Sequence, residues 1–369
     1  MPDAPATSQR DALRRFPCRQ CGAKLEFAPG TDTLICPYCR AENKIGAPAD
    51  PGLVQELDYN RALADLKERA GKSTTLILQC GACAAKIQAP PNVTSITCPF
   101  CGTNIVATAQ SITQIKPNAV LPFKVTRDSA VNSFRQWVRS RWFAPTKLKI
   151  NSLIDARLSG TYLPAWTYDS ATTTDYEGER GDAYYTTETY YINGRPQTRT
   201  VRHIRWTSVS GVVNVDFDDV LVVASHTLPD KEMGQLEPWD LKSSVLYADD
   251  YLAGFRAECY TIGLDDGFEI AKQKMQPQIE SAIRADIGGD EQRIGSMNTS
   301  YAHITYKHLL LPVWLSAYRF NQKLYRFMVN ARTGEVYGER PYSAVKITLF
   351  VLMCLVIVAI IAVIASRAR

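Results

Sequence analysis

Two copies of one cysteine pattern lie sixty-two residues apart near the start of the chain and constrain it more than any other feature. Each copy reads C-x2-C, fourteen residues, C-x2-C. A two-residue gap lets a tight turn direct both sulfurs of a pair at one tetrahedral ion, so each quartet is expected to bind zinc. The predicted ligands are Cys18, Cys21, Cys36 and Cys39 in the first copy and Cys80, Cys83, Cys98 and Cys101 in the second.

The sequences around the cysteines repeat as well, which predicts two zinc ribbons at 17–46 and 76–108. Cys36-Pro-Tyr-Cys39 corresponds to Cys98-Pro-Phe-Cys101. Four thiolates complete the coordination of each ion, so two structural zinc ions are expected and hydrolysis at them is not. A redox dithiol is the alternative for any single C-x2-C pair, but four pairs at matched spacing favour metal.

An apolar run from Ile347 to Ala365 has the length of a helix that crosses a bilayer, for which about 20 residues are needed. Only Thr348 and Cys354 within it are even mildly polar. The run predicts a single transmembrane helix at 346–365 that serves as a C-terminal anchor. Because zinc thiolates need a reducing compartment, the bulk of the chain is expected on the cytoplasmic side.

The rest of the chain divides into a lead-in, a linker and one larger domain. Residues 1–16 contain no apolar core and are expected to be disordered, and 47–75 are interpreted as a linker with a helix. From 117 to 343 the pattern changes to long strands and two helices. A chain of 369 residues accommodates this number of units.

Local signals within 117–343 predict a mostly antiparallel α+β domain. Asp128 or Ser129 is expected to cap a first helix, and Asn193-Gly194 predicts a hairpin between strands at 184–192 and 195–209. Residues 211–225 are expected to continue as a strand. A second helix is predicted at 265–287, interrupted or kinked by Pro277. A meander of strands at 309–320, 324–330 and 335–338 follows.

A short repeat within this domain suggests two related halves. Leu163-Pro164-Ala165-Trp166 is echoed by Leu311-Pro312-Val313-Trp314. The alternative is that both segments are edge strands, where proline is tolerated. In either case the tryptophans, with Tyr168 on the same strand face as Trp166, are expected in the core.

Several patterns resemble catalytic motifs without their context. Gly71-Lys72-Ser73-Thr74 lacks the first glycine of a phosphate loop, and Asp216-Phe217-Asp218 resembles an aspartate-nucleophile site in a region that is not alternating strand and helix. Cys259 is interpreted as a core thiol. The four histidines have no metal-site spacing: His203, His226, His303 and His308. No catalytic residue is therefore predicted, and an enzyme using Asp216 and Asp218 is kept as an alternative.

Residues 116–149 concentrate basic side chains and interleave them with aromatic ones. The basic residues are Lys116, Lys124, Arg127, Arg135, Arg139, Arg141, Lys147 and Lys149, and the aromatic ones are Phe134, Trp137, Trp142 and Phe143. Such a segment suits anionic lipid or a nucleic-acid strand, or it is a solvated helix face. The net charge of +5 does not by itself indicate a nucleic-acid partner.

Together these landmarks make the chain resemble a bacterial family of anchored proteins with paired ribbons of the transcription-factor-IIB type. The resemblance covers nearly the full length and also rests on Leu121-Pro122-Phe123, on Tyr251 to Phe255 and on Asn330 to Val336. Members are often labelled as similar to primosomal protein N′, a replication-restart helicase. The resemblance also suggests phage-shock-protein A and flotillin-like membrane proteins as partners.

The sequence as a whole predicts a non-enzymatic, membrane-anchored adaptor whose zinc ribbons dock a protein partner in the cytoplasm. A nucleic-acid-binding module related to the replication-restart machinery is the main alternative. Helicase or ATPase activity is not expected, because no complete Walker loop is present.

Overall fold

The computed structural model of the chain describes residues 17–45, 54–69, 76–79, 85–88, 95–97, 104–106, 110–111, 115–146, 158–193, 195–227, 230–320 and 323–367. The predicted lead-in 1–16, the imperfect phosphate loop at 71–74 and the second cysteine quartet lie outside the described residues.

The first cysteine quartet belongs to a small three-stranded antiparallel sheet. Its strands are β1 (Glu26–Phe27), β2 (Thr33–Ile35) and β3 (Glu42–Lys44), in the order β1-β2-β3. Leu25, Phe27 and Leu34 are buried beneath it. We call residues 17–45 the first cysteine unit.

The region of the second quartet repeats part of this pairing. After β4 (Leu57–Asp58) and α1 (Tyr59–Arg69) come β5 (Leu76–Gln79), β6 (Lys86–Gln88), β7 (Ser95–Thr97), β8 (Asn104–Val106) and β9 (Gln110–Ser111). Thr33 pairs with Lys44 in the first unit, and Ser95 pairs with Val106 in the second, each partner shifted by sixty-two residues. One strand pairing of the first unit therefore has a counterpart sixty-two residues later.

One nine-stranded sheet forms the larger domain. Beside β4 it contains β10 (Ala119–Val120), β11 (Ser159–Ile192), β12 (Arg195–Val223), β13 (Val245–Leu246), β14 (Arg256–Ala257), β15 (Glu291–Phe320), β16 (Lys323–Asn330) and β17 (Val336–Gly338). The central order is β12-β11-β15-β10-β13. Most pairs are antiparallel, as expected, while β10 with β15 and β11 with β14 are parallel.

The predicted hairpin at Asn193 is correct, but its strands are far longer than the turn signal indicated. Asn193 has a φ of 50°, and Ile192 pairs with Arg195 across the turn. The strands predicted at 195–209 and 211–225 are one strand, β12. Pairing of β11 with β15 begins at Gly181, so beyond that point the hairpin is a two-stranded ribbon.

Two helices cover one face of the sheet, and their apolar spacing explains why. α2 (Arg127–Ser140) buries Ala130, Val131, Phe134 and Val138. Its cap is Thr126, whose side chain accepts from the Ser129 amide, so the expected cap at Asp128 or Ser129 was wrong by a few residues.

The second long helix runs without interruption through its proline. Following the short α3 (Asp230–Gly234), α4 (Leu264–Ile287) buries Ile279, Ile283 and Ile287 among others. Pro277 and Gln273 are both exposed, so the carbonyl that loses its helical partner faces the solvent side. The predicted interruption at Pro277 is therefore absent.

The L-P-x-W segments lie inside the sheet, so the edge-strand alternative was wrong. β11 lies between β12 and β15, and Leu163 pairs directly with Leu311. Each proline carbonyl accepts from an alanine amide at the end of the neighbouring strand: Pro164 from Ala224 at 2.9 Å and Pro312 from Ala331 at 3.0 Å.

The tryptophans of these segments make equivalent hydrogen bonds to opposite halves of the domain. Trp166 Nε1 donates to the carbonyl of Ile262 at 3.0 Å, and Trp314 Nε1 donates to that of Val125 at 2.8 Å. Each acceptor lies two residues before a helix, α4 in one case and α2 in the other. The amides of Ile262 and Val125 in turn donate to Ala224 and Ala331.

These matched contacts describe two similar β-α-β-β halves, β10-α2-β11-β12 and β14-α4-β15-β16. The antiparallel register around Leu163 and Leu311 relates them by a local two-fold rotation. Each helix packs on the strands of the other half, since α4 contacts β11 and β12 while α2 contacts β16 and β17. That the repeat arose by duplication stays a prediction.

The chain continues into α5 (Ala344–Arg367). Residues 344–366 have a mean hydropathy of 3.4 over the most apolar window, and none of that window is buried. The helix is long and apolar enough to cross a membrane.

Candidate metal centre

The four cysteines of the first quartet converge on one point. Their Sγ atoms all lie within 4.8 Å of one another, with Cys18 to Cys39 and Cys21 to Cys36 both at 3.5 Å. Tetrahedral coordination at a metal–sulfur distance of ~2.3 Å requires sulfurs about 3.8 Å apart. The quartet is therefore positioned to bind a metal ion.

Two turns with matching hydrogen bonds supply the four sulfurs. In the first turn the Gly22 amide donates to the Cys18 carbonyl at 2.8 Å, and in the second the Arg40 amide donates to the Cys36 carbonyl at 3.0 Å. Gly22 has a φ of 73° and Arg40 a φ of 62°. Arg40 thus adopts the left-handed backbone that glycine adopts with less strain, which indicates that the turn geometry is held by the surrounding unit.

Backbone amides within these turns favour the thiolate form that binds metal. The Cys39 amide lies 3.5 Å from Cys36 Sγ and is the main reason why the pKa of Cys36 is lowered to about 6. The Cys21 amide likewise lowers the pKa of Cys18. The amides of Ala23 and Ala41 lower the pKa values of Cys21 and Cys39 in the same way, but the neighbouring sulfurs and burial raise both pKa values overall. The amides therefore favour the metal-binding thiolate form at Cys18 and Cys36.

The first cysteine unit is packed against the larger domain. The Phe27 amide donates to the Ala253 carbonyl at 2.9 Å, and the Gly30 amide donates to the Phe123 carbonyl at 2.8 Å. The Phe27 ring makes an edge contact with Tyr251, with centroids 5.4 Å apart. Cys18, Cys36 and Phe27 therefore share one hydrophobic core with α2 and with Trp314.

The opposite side of the unit faces solvent. Arg19, Gln20 and Arg40, which belong to the two cysteine turns, are exposed, and Tyr38 is 81% exposed. The unit thus docks through β1 and its buried residues, and the exposed residues of the cysteine turns form its free side.

Both residues of the alternative Asp-x-Asp site lie on β12. Asp216 and Asp218 are both exposed, and Asp218 places a carboxylate oxygen within 4.8 Å of those of Glu56 and Asp169. Burial raises the pKa of Asp169 to about 6, although the Asp219 amide donates to it at 2.6 Å.

A lysine and a threonine bind the carboxylates of this acidic cluster. Lys307 Nζ lies 2.7 Å from Asp219 Oδ1 and 3.2 Å from Glu56 Oε1. Thr305 Oγ1 lies 2.8 Å from Asp169 Oδ2. The cluster is thus a charge network that ties the segment before α1 to the sheet. Sequence reasoning missed it because its members come from four distant segments.

Of the four histidines, His308 is the one buried in the core. Its Nδ1 lies 2.9 Å from the Ile115 carbonyl, and its ring centroid lies 4.5 Å from that of Trp166. Burial lowers its pKa to about 4, so the ring is neutral at physiological pH. Cys259 is buried, as expected of a core thiol.

The basic aromatic segment does not present its aromatic rings as a row. Phe134 is fully buried and stacks on Phe327 with centroids 3.6 Å apart, whereas Trp142 is 69% exposed. Trp137 stacks beside Phe134 and is covered by Arg141, whose guanidinium lies 5.0 Å from its centroid. The described part of the segment therefore combines a core-facing stripe with an exposed carboxyl end.

Comparison with known proteins gives one distant relative. The chain is 28% identical over 246 residues to a Bacillus subtilis (strain 168) protein described as uncharacterized protein YdjG. The aligned region covers 63% of this chain and 66% of that protein. The match spans just under two thirds of the relative's length. No family model and no solved structure matches the chain.

Proposed function

We propose that the protein is a membrane-anchored adaptor that binds two structural zinc ions and presents a protein-docking surface in the cytoplasm. One observation carries the proposal: four converging cysteines, of which Cys18 and Cys36 lie in the hydrophobic core, belong to a domain that continues into an exposed apolar helix. Thiolate sulfur is the preferred donor for zinc, and four such donors leave no position for substrate.

The docking surface is the free side of the first cysteine unit. Tyr38 is its largest exposed ring, and an exposed tyrosine among polar neighbours has the composition of an interaction hot spot. Because the opposite side is fixed by Phe27 to the larger domain, this surface has a defined orientation relative to that domain. Phage-shock-protein A and flotillin-like proteins, which the family resemblance suggests, are the partners to test first.

Affinity capture from membranes tests the proposal. The full chain is compared with Cys→Ser variants of each quartet and with Tyr38→Ala, which leaves all ligands in place. Tyr191→Ala is the matched control, because Tyr191 is 71% exposed at the remote hairpin. We expect Tyr38→Ala and the quartet variants to lose the partner and Tyr191→Ala to keep it. Unchanged capture after loss of both quartets contradicts the proposal.

A nucleic-acid-binding function is the second candidate, supported by the exposed Arg127 and Arg139 of α2. The burial of Phe134 counts against it, because stacking on bases needs exposed rings. Titration with single- and double-stranded DNA across a range of salt separates the two functions. Binding that weakens steeply as salt rises favours nucleic acid.

A further inference from the structure

The first turn of α5 is attached to the segment that follows α2. The Ser343 amide donates to the Phe143 carbonyl at 2.8 Å, and the Phe143 and Phe350 rings meet edge to face with centroids 5.5 Å apart. Lys346 Nζ donates to the carbonyl of Ala144 at 2.8 Å and to that of Trp142 at 3.3 Å. The base of the apolar helix is therefore held by the domain, and a free tether does not join the two.

The ammonium group of Lys346 is engaged by the domain and does not extend toward the surroundings of α5. A lysine near the end of a membrane-spanning helix ordinarily extends its ammonium group to the lipid headgroups. Here the ammonium group is directed to backbone carbonyls of the domain. Positive charge for the headgroup layer must then come from the domain itself.

Such charge lies beside two exposed aromatic rings at the base of α5. Trp142 is 69% exposed and Tyr342 is 62% exposed. Arg340 places its guanidinium 5.3 Å from the Tyr342 centroid, and Arg141 directly precedes Trp142. We call Arg141, Trp142, Arg340 and Tyr342 the helix-base face. Glu339, the acidic neighbour of Arg340, accepts from the Arg326 amide at 3.3 Å.

The composition of the helix-base face matches that of a membrane boundary. Tryptophan and tyrosine collect where hydrocarbon meets headgroups, because each ring is apolar with one polar atom. Arginine forms paired hydrogen bonds with phosphate oxygens, and basic residues near a membrane are attracted to anionic lipids.

We propose that the helix-base face lies in the headgroup layer of an anionic bilayer, with its rings at the hydrocarbon boundary and its guanidinium groups on lipid phosphates. The inference rests on the proposed membrane insertion of α5. It adds that the domain has one orientation against the membrane, because the contacts at Phe143 and Lys346 hold the helix-base face and the base of α5 together.

Quenching of tryptophan fluorescence by brominated lipids tests the position of Trp142. The full chain is reconstituted into vesicles of phosphatidylcholine alone or of equal parts phosphatidylcholine and phosphatidylglycerol. Trp142→Phe is compared with Trp206→Phe, whose ring lies in the remote β12 beneath Arg293. We expect Trp142→Phe to abolish most of the quenching and Trp206→Phe to retain it. Equal quenching in the two variants overturns the inference.

The charge requirement is tested with Arg141→Gln and Arg340→Gln in the same vesicles. We expect both to reduce quenching in phosphatidylglycerol vesicles and to leave the phosphatidylcholine signal unchanged, with circular dichroism showing that the fold is retained. If both variants quench like the original chain in both lipids, the headgroup contact is wrong. If instead they abolish binding of a single-stranded oligonucleotide with no lipid effect, the face belongs to nucleic acid.

Extraction with alkaline carbonate separates this inference from the proposed anchoring. A chain that is extracted from the vesicles shows that α5 is not inserted, which overturns the anchoring and the inference with it. A chain that resists extraction while its Trp142 remains unquenched overturns the headgroup contact alone.

Discussion

The backbone amide of Phe27 donates to the carbonyl of Ala253 across 226 positions of sequence, and this bond joins the first cysteine unit to the segment that precedes β14. The buried residues of the unit share one hydrophobic core with the domain, so loss of the cysteine site is expected to destabilise the domain.

Substitution of a core cysteine ligand should destabilise the whole domain. Cys36→Ser removes one of four thiolates, and small metal units lose their fold when the ion is lost. Metal analysis should show loss of the first quartet's ion, and the midpoint of thermal unfolding should fall. Cys354→Ser, in α5 and away from the quartet, is the control and should retain both values.

Removal of the Phe27 ring, which attaches the first cysteine unit to the domain, should lower the stability of the domain without reducing its metal content. Phe27→Ala deletes a ring that is 3% exposed and contacts Tyr251 and Phe255. Phe→Ala substitutions in cores cost about 3–5 kcal/mol, whereas exposed positions such as Tyr38 stay within about 0.5 kcal/mol. Urea unfolding in detergent measures the difference. Full metal content with reduced stability is expected, and equal stability of the Phe27 and Tyr38 variants contradicts the docking.

Trp166 and Trp314 should contribute similar amounts to the free energy of unfolding. Trp166→Phe and Trp314→Phe each remove one indole N–H and leave a carbonyl before a helix without its donor. A lost hydrogen bond with a buried partner costs roughly 1–3 kcal/mol. Denaturant unfolding of both variants is expected to show losses of similar size. A large loss in one variant and none in the other would mean that the two contacts are not equivalent.

Glu258 should make stability depend on pH. It is 3% exposed, and its Oε1 accepts from Ser225 at 2.8 Å and from Thr227. Burial raises its pKa from 4.5 to about 7, so the folded protein binds a proton that the unfolded chain releases in this range. The contribution of Glu258 to stability therefore decreases as pH rises from about 4.5 to about 7 and is constant above that.

The neutral variant Glu258→Gln lacks this dependence. Relative to that of the original chain, its free energy of unfolding should increase by up to roughly 3 kcal/mol as pH rises from about 4.5 to about 8. Urea unfolding in detergent at several pH values measures both proteins under the same metal conditions. Parallel curves for the two proteins across this range would show that Glu258 does not titrate as its burial requires.

Local signals predicted the parts of the fold whose cause is local. Asn193 determined the hairpin turn, and the apolar spacing of Phe134 and Val138 determined α2. The cysteine spacing predicted the convergence of Cys18, Cys21, Cys36 and Cys39, because two-residue gaps dictate the turn geometry.

The remaining features depend on pairings between distant residues. Nothing near Leu163 indicates that Leu311 is its partner, and Ala253 carries no local sign that Phe27 docks there. The alternating threonines of β11, such as Thr172 and Thr174, were not recognised as buried because their neighbours are polar. Their burial arises from α4 and β15, which come later in the chain.

The exchange of helices between the two halves determines how this chain can fold. Phe134 of α2 stacks on Phe327, which is synthesised almost two hundred residues later. The strands β11 and β12 likewise stay uncovered until α4 has been synthesised. Neither half contains a complete core of its own. Despite its internal repeat, the domain is therefore expected to fold as one cooperative unit, and neither half is expected to fold when it is expressed alone.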